Sequence, residues 1–104
     1  MPAVLIFTTT PDLKSARLLA RSLVEKKLAA CVSFKEGFIS LYRWKEKVER
    51  AREVTLFIKS SKENFSKIKR HIHRVHPYEV PELIAVPIMQ GSSEYLSWLS
   101  KSLK

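Results

Sequence analysis

The stretch His76-Pro77-Tyr78-Glu79-Val80-Pro81-Glu82 divides this chain more sharply than any other. It follows a basic segment with helical periodicity and precedes an apolar run. Proline fixes φ and moves the residue before it out of the helical region, so His76 and Val80 are expected to be extended. The stretch therefore stops a helix, turns and launches a strand. The fold around it must accommodate a stiff connection that carries a histidine, a tyrosine and two carboxylates.

The flanking segments supply an ordered series of elements. Ala3 to Phe7 is continuously apolar and β-branched in part, which predicts a strand buried on both faces. Thr10, Pro11 and Asp12 read as N-cap, first helical residue and first-turn acid. From Leu13 to Lys27 an apolar stripe of Leu13, Ala16, Ala20, Leu23 and Val24 predicts an amphipathic helix. Leu28 to Phe34 is a second strand, interrupted at Lys35-Glu36-Gly37 by an expected bulge or bend. Phe38 to Trp44 resumes it, with Phe38, Ser40, Tyr42 and Trp44 on one side and Ile39, Leu41 and Arg43 on the other. A strand that is adhesive on both faces points to contact with another subunit. Lys45-Glu46-Lys47 turns, and Glu53 to Lys59 forms the third strand of a long hairpin.

Phe65, Ile68, Ile72 and Val75 mark a second helix, with His71 and His73 expected on its solvated basic side. Leu83 to Met89 is a fourth strand, which Pro87 confines to an edge or kinks. Ser92 or Ser93 caps a C-terminal helix carrying Tyr95, Leu96, Trp98, Leu99 and Leu103. The order β-α-β-β-α-β plus a final helix is the α+β, ferredoxin-like split pattern.

At 104 residues, one domain spanning 1–104 is expected. The net charge of +9 favours polyanions or acidic partners. It keeps open a basic nucleic-acid or polyanion-binding module built on Lys62, Lys67, Lys69, Arg70 and Arg74. The third strand, however, lacks the Gly-aromatic pattern of RNA-stacking sheets. One cysteine, Cys31, excludes an intrachain disulfide and suits a reducing compartment. With no apolar run of membrane-spanning length and no signal-peptide pattern, a cytoplasmic protein without a membrane partner is expected. Neither carboxylate pair, Glu49/Glu53 nor Glu79/Glu82, accompanies a nucleophile, so the expectation is a protein that is not an enzyme. No Cys-x-x-Cys or His-Glu-x-x-His occurs, so a closed zinc site is not encoded. His76, restrained beside carboxylates, is the residue that suits a cation or titration near neutral pH.

The chain resembles the CutA family of divalent-cation tolerance proteins almost end to end. The resemblance is carried by Thr9-x-Pro11-Asp12, Leu28-Ala29-Ala30-Cys31-Val32 and Gly37-x-x-Ser40-x-Tyr42-x-Trp44. Glu49, Glu53, Lys59, the 76–83 stretch and Gly91-x-x-x-Tyr95-x-x-Trp98 complete it. It implies a ferredoxin-like subunit in a PII-like homotrimer, with Tyr42, Trp44 and Trp98 at the subunit interface. It further implies a divalent cation, copper foremost, as cofactor, with His76 as metal ligand and Glu79 and Glu82 lining the cleft or orienting the site. Where copper-binding bacterial relatives have a cysteine this chain has Thr8, and where they have paired histidines it has Val75-His76. The hairpin turn, Trp-x-Gly-Lys in the family, is Trp44-Lys45-Glu46-Lys47 here, so a locally altered or strained turn is expected.

Overall fold

In a computed structural model describing residues 1–104, the chain measures 45 × 25 × 23 Å, drawn out along one axis. Its strands are β1 (Ala3–Thr10), β2 (Cys31–Trp44), β3 (Lys47–Ser61) and β4 (Ile84–Pro87). Its helices are α1 (Leu13–Glu25), α2 (Phe65–Val75) and α3 (Ser93–Ser102), with a 3-10 turn at Lys62–Asn64. The sheet order is β2-β3-β1-β4, antiparallel throughout, as the ferredoxin-like pattern requires.

β1 is paired on both edges, with β3 from Ala3↔Ser61 to Thr10↔Val54 and with β4 from Val4↔Pro87 to Phe7↔Ile84, but only one of its two faces is fully covered, so the burial expected on both is met on one. Alternation sends Val4 and Ile6 to the face covered by α1 and α2, where they join Leu56, Ile58, Leu19, Leu23, Ile68 and Ile72 in the main core. Leu5 and Phe7 point to the other face. Only α3 covers that face, and only at one end, where buried Leu99 packs with Ala3 and Ala30. The remaining open face is apolar. Phe7 meets Phe57 edge-on at 5.3 Å, and beside them on β4 Ile84 and Val86 stay exposed.

Several boundaries differ from the sequence reading, each for a physical reason. The cap of α1 is Asp12, whose carboxylate accepts from the Ser15 amide at 2.8 Å, whereas Thr10 remains in β1. The buried face of α1 includes Leu19 and leaves Val24 exposed. β2 starts at Cys31 because Leu28 and Ala29 are held by the end of α1, both amides donating to the Leu23 carbonyl. β3 starts at Lys47, so polar Glu49 to Arg52 is strand: pairing with β2 overrides composition. β4 stops at Pro87, which suits an edge strand. His71 is not solvated. It is 4% exposed, and its Nε2 lies 2.7 Å from Ser22 Oγ, linking α2 to α1. The Ser22 hydroxyl already donates to the Leu19 carbonyl, so the ring carries its hydrogen on Nε2 and leaves Nδ1 without a partner.

The glycine expected to mark a bulge does so: the β2–β3 register shifts between Lys35 and Phe38, with Gly37 at φ 97°. Three side-chain-bearing residues take left-handed backbone without that freedom. Lys27, at φ 59°, ends α1 in a Schellman arrangement, with Lys27 N bonded to Val24 O and Leu28 N to Leu23 O. Lys45 and Glu46, at φ 52° and 67°, form the two-residue turn that closes Trp44↔Lys47.

Lys27→Gly and Glu46→Gly are each expected to stabilise the fold by about 1 kcal/mol, read as a rise in the denaturation midpoint at unchanged slope. Burial holds the His71 pKa below its ordinary 6.5, with the Lys26 and Arg74 charges adding to the effect. The folded chain thus resists a proton that the unfolded chain accepts. Its share of stability is present above pH 6.5 and lost on acidification below it. Denaturation series at neutral and mildly acidic pH are expected to show this fall in wild type and a flatter dependence in His71→Gln.

Candidate functional site

Three threonines end β1, and each hydroxyl donates to a different part of the chain. Thr8 Oγ1 donates to the Glu82 carbonyl at 2.6 Å, Thr9 Oγ1 to Glu53 Oε2 at 3.2 Å and Thr10 Oγ1 to the Asp12 carbonyl at 2.9 Å. All three residues are buried. Thr8 and Thr9 thereby fasten the connection between α2 and β4, directly at Glu82 and through Glu53 at Tyr78.

His76 is the other fastening. It ends α2 with extended backbone, φ −78° and ψ 137°, as Pro77 dictates. Its Nδ1 accepts from the Tyr78 amide at 3.0 Å, which places the ring hydrogen on Nε2, and Nε2 donates to the Thr9 carbonyl. The ring also packs at a tilt on Tyr78, with 5.0 Å between centroids. Both ring nitrogens of His76 are therefore in use within the chain.

Tyr78 carries the connection to β3. Its hydroxyl donates to Glu53 Oε2 at 3.0 Å, so that oxygen receives both Tyr78 and Thr9. Burial, together with the hydrogen bond and charge of Glu53, pushes the Tyr78 phenol up to about 12. Tyr78 is consequently a neutral donor throughout the physiological range. Glu53 is 7% exposed, and no lysine or arginine of the chain pairs with it. Only Oε2 has hydrogen-bond partners; Oε1 has none in the chain.

These groups line a cleft of about 590 Å³ on the open side of the sheet. Tyr42 and Trp44 of β2, Thr9 of β1, Glu53 of β3, and Tyr78 and Pro81 of the connection line it. Sequence reasoning paired Glu53 with Glu49 and missed this arrangement. The signal within reach was strand parity, which puts Glu53 on the face of Ser40 and Tyr42.

The expected trio of His76, Glu79 and Glu82 is not assembled. Glu82 lines the 590 Å³ cleft, whereas His76 lines a separate pocket of about 350 Å³ beside Ser22, His71 and Pro77. Glu79 is exposed and lines neither. After the extended His76 the chain bends through residues 77–80, so the side chains of the segment diverge. No group of three His, Cys, Asp or Glu side chains is set to hold a metal, so the residues of one chain do not fit a closed cation site. Of the residues expected at a subunit interface, Tyr42 is 43%, Trp44 39% and Trp98 46% exposed. Tyr42 and Trp44 lie toward the hairpin tip. Trp98 packs on Tyr95 at 5.4 Å, near Lys59 at the far end of the hairpin. Cys31 is partly buried and free.

Comparison with known proteins places this geometry. The sequence profile of the CutA1 divalent ion tolerance protein family matches residues 4–102. The divalent-cation tolerance protein CutA of Pectobacterium atrosepticum is 44% identical over 98% of this chain and 93% of its own length. That of Thermus thermophilus is 41% identical over 93% of this chain and 94% of its own. Among solved structures, CutA from Xylella fastidiosa superposes with a TM-score of 0.95 at 40% identity, covering 98% of each chain. A structure from Archaeoglobus fulgidus, described as a periplasmic divalent cation tolerance protein, gives the same TM-score at 33% identity over 98% and 99%. With its fold, its motifs and nearly its whole length in agreement, this chain belongs to the CutA1 divalent ion tolerance family.

Proposed function

We propose that this chain acts as a cytoplasmic, non-enzymatic homotrimer that binds divalent cations, copper foremost, in a PII-like role in metal-ion homeostasis. The observation that carries the reading is the apolar surface left uncovered in one chain. Phe38, Ile39, Leu41, Tyr42, Trp44 and Val48 all remain exposed on the hairpin, and Ile84 and Val86 on the open sheet face. Apolar side chains left exposed on both faces of a ribbon mark a protein–protein contact. The long hairpin projects beyond its own sheet, so its edge and aromatic residues are available to a neighbouring copy. No helix of the chain is long and apolar enough to cross a membrane.

Metal binding enters as a property of that assembly. One chain offers no closed site, and the Nδ1 lone pair of His76 is held by the Tyr78 amide. A site at His76 therefore requires release of that bond and ligands from a second copy, with Glu79 or Glu82 supplying charge. This dependence ties cation binding to the position of the 76–82 segment, which is what a signalling role needs.

A rival reading retains one observation: Lys62, Lys67, Lys69, Arg70 and Arg74 are all exposed and none pairs with an acid of the chain. A polyanion binder of this sort loses affinity steeply with salt. The metal reading expects no retardation of DNA or RNA at physiological salt; a salt-dependent shift abolished by charge reversal on α2 favours the rival.

Native mass spectrometry with and without copper is expected to show a trimer in both cases and bound copper in the second. A monomer contradicts the architecture. In calorimetric titration with copper, His76→Ala is expected to lose the saturable heat seen in wild type, and equal heats from both proteins remove His76 from the site.

A further inference from the structure

The helix layer carries most of the positive charge of this chain. Residues 12–27 and 62–75, which hold α1 and α2, contain ten lysines and arginines against three carboxylates, while the whole chain has 19 against 10. Two of those three carboxylates are already engaged. Asp12 caps α1 at the Ser15 amide, and Glu25 pairs with Arg21 at 3.0 Å. The third, Glu63, lies in the 3-10 turn ahead of α2. Like charges gathered in this way repel one another and favour an acidic partner.

A groove between the two helices lies within this field. It is the pocket of about 350 Å³ in which Ser22 of α1 meets His71 of α2. Leu18 of α1 and Val75 of α2 both line it, yet they are 63% and 54% exposed. Cationic side chains stand around the pair. Lys14 precedes Leu18 by one turn on the same face of α1, and Arg74 adjoins Val75. Lys26 and Arg74 are close enough to His71 that both charges lower its pKa. Exposed apolar side chains in a cationic surround suit an acidic amphipathic helix, which lays its apolar residues in a groove and its carboxylates along the edges. A nucleic-acid backbone would satisfy the charges and leave Leu18 and Val75 uncovered.

We propose that the groove between α1 and α2 is a docking site for an acidic amphipathic helix of a partner protein, with Leu18 and Val75 receiving its apolar residues and Lys14, Lys26 and Arg74 its carboxylates. The two helices cover the sheet face opposite the open apolar one, and no residue of the hairpin lines the groove. The groove therefore stays outward in the homotrimer proposed above, where the hairpin and the open face meet neighbouring copies. His76 also lines the pocket, but both its ring nitrogens are bonded within the chain, so docking needs no cation and stands apart from the metal reading.

The experiment is fluorescence anisotropy with the full-length protein, in metal-free buffer at physiological ionic strength. The probe is a labelled peptide of leucine and glutamate whose leucines recur at helical spacing. A shuffled peptide of the same composition keeps the charge and loses the apolar face. Saturable binding of the patterned peptide, with the shuffled one at least about tenfold weaker, is expected. Leu18→Asp is expected to weaken binding at least about tenfold and Arg74→Glu about threefold or more, with circular dichroism matching wild type, since both positions are exposed. Should either variant not fold, Lys14→Glu carries the same expectation as Arg74→Glu. The proposal is overturned by equal binding of the two peptides, by undiminished binding in a folded Leu18→Asp, Arg74→Glu or Lys14→Glu, or by the absence of saturable binding in wild type. Tighter binding of duplex DNA or of phosphatidylserine vesicles under the same conditions overturns it as well.

Discussion

The clasp between the end of β1 and the 76–82 segment is the interaction on which the site side of this molecule depends. β1 is the central strand, and its last three residues spend their side chains outward from the ladder rather than on core packing. Thr8 holds Glu82, Thr9 shares Glu53 with Tyr78, and the Thr9 carbonyl receives His76. Each of these bonds joins residues far apart in sequence, so none forms until the sheet has assembled. Once formed, they position a proline-bearing connection that has no regular structure of its own. Buried hydrogen bonds of this type contribute about 1 kcal/mol each when made, and cost more when one partner is left unsatisfied. The clasp is consequently better understood as fixing one conformation than as a large reserve of stability.

A second constraint runs along the hairpin. β2 and β3 pair from Cys31↔Lys59 to Trp44↔Lys47, but β1 accompanies β3 only as far as Thr10↔Val54. Beyond that point the hairpin is a two-stranded ribbon with no helix beneath it. Isolated two-stranded ribbons are marginal in water. Here the ribbon is closed by two left-handed residues that lack glycine's freedom, which weakens it further. Leu41, Tyr42, Trp44 and Val48 of that ribbon stay exposed, so within one chain the ribbon has no packing beyond its own two strands and the residues that meet its root.

The elements were legible in the sequence where one physical signal dominated. A continuous apolar run located β1, apolar periodicity α1, Gly37 the bulge and Pro77 the end of α2. Sequence reasoning failed where long-range pairing overrode local composition. Polar Glu49 to Arg52 became strand because β2 lay alongside, and His71 was buried because Ser22 of α1 faced it. The site was less legible still. His76 was visible as a restrained histidine, but which atoms restrain it depends on a strand 67 residues away in sequence. Glu53 looked like one more strand-surface acid, since nothing local announces the arrival of Tyr78.

The relation between Glu53 and the charge of the whole chain sharpens what the clasp does. A protein with a net charge of +9 has an average field that opposes further cations. A carboxylate at the surface would offset that field locally with little loss of hydration, whereas burying one carries a desolvation penalty. This chain instead holds Glu53 7% exposed and gives its Oε2 two neutral donors, Thr9 and Tyr78. A Tyr78 phenol pushed up to about 12 keeps its proton and fixes the carboxylate in place as a hydrogen-bond donor. The same clasp that orders the connection thus also orients the Glu53 carboxylate on the open face of the sheet.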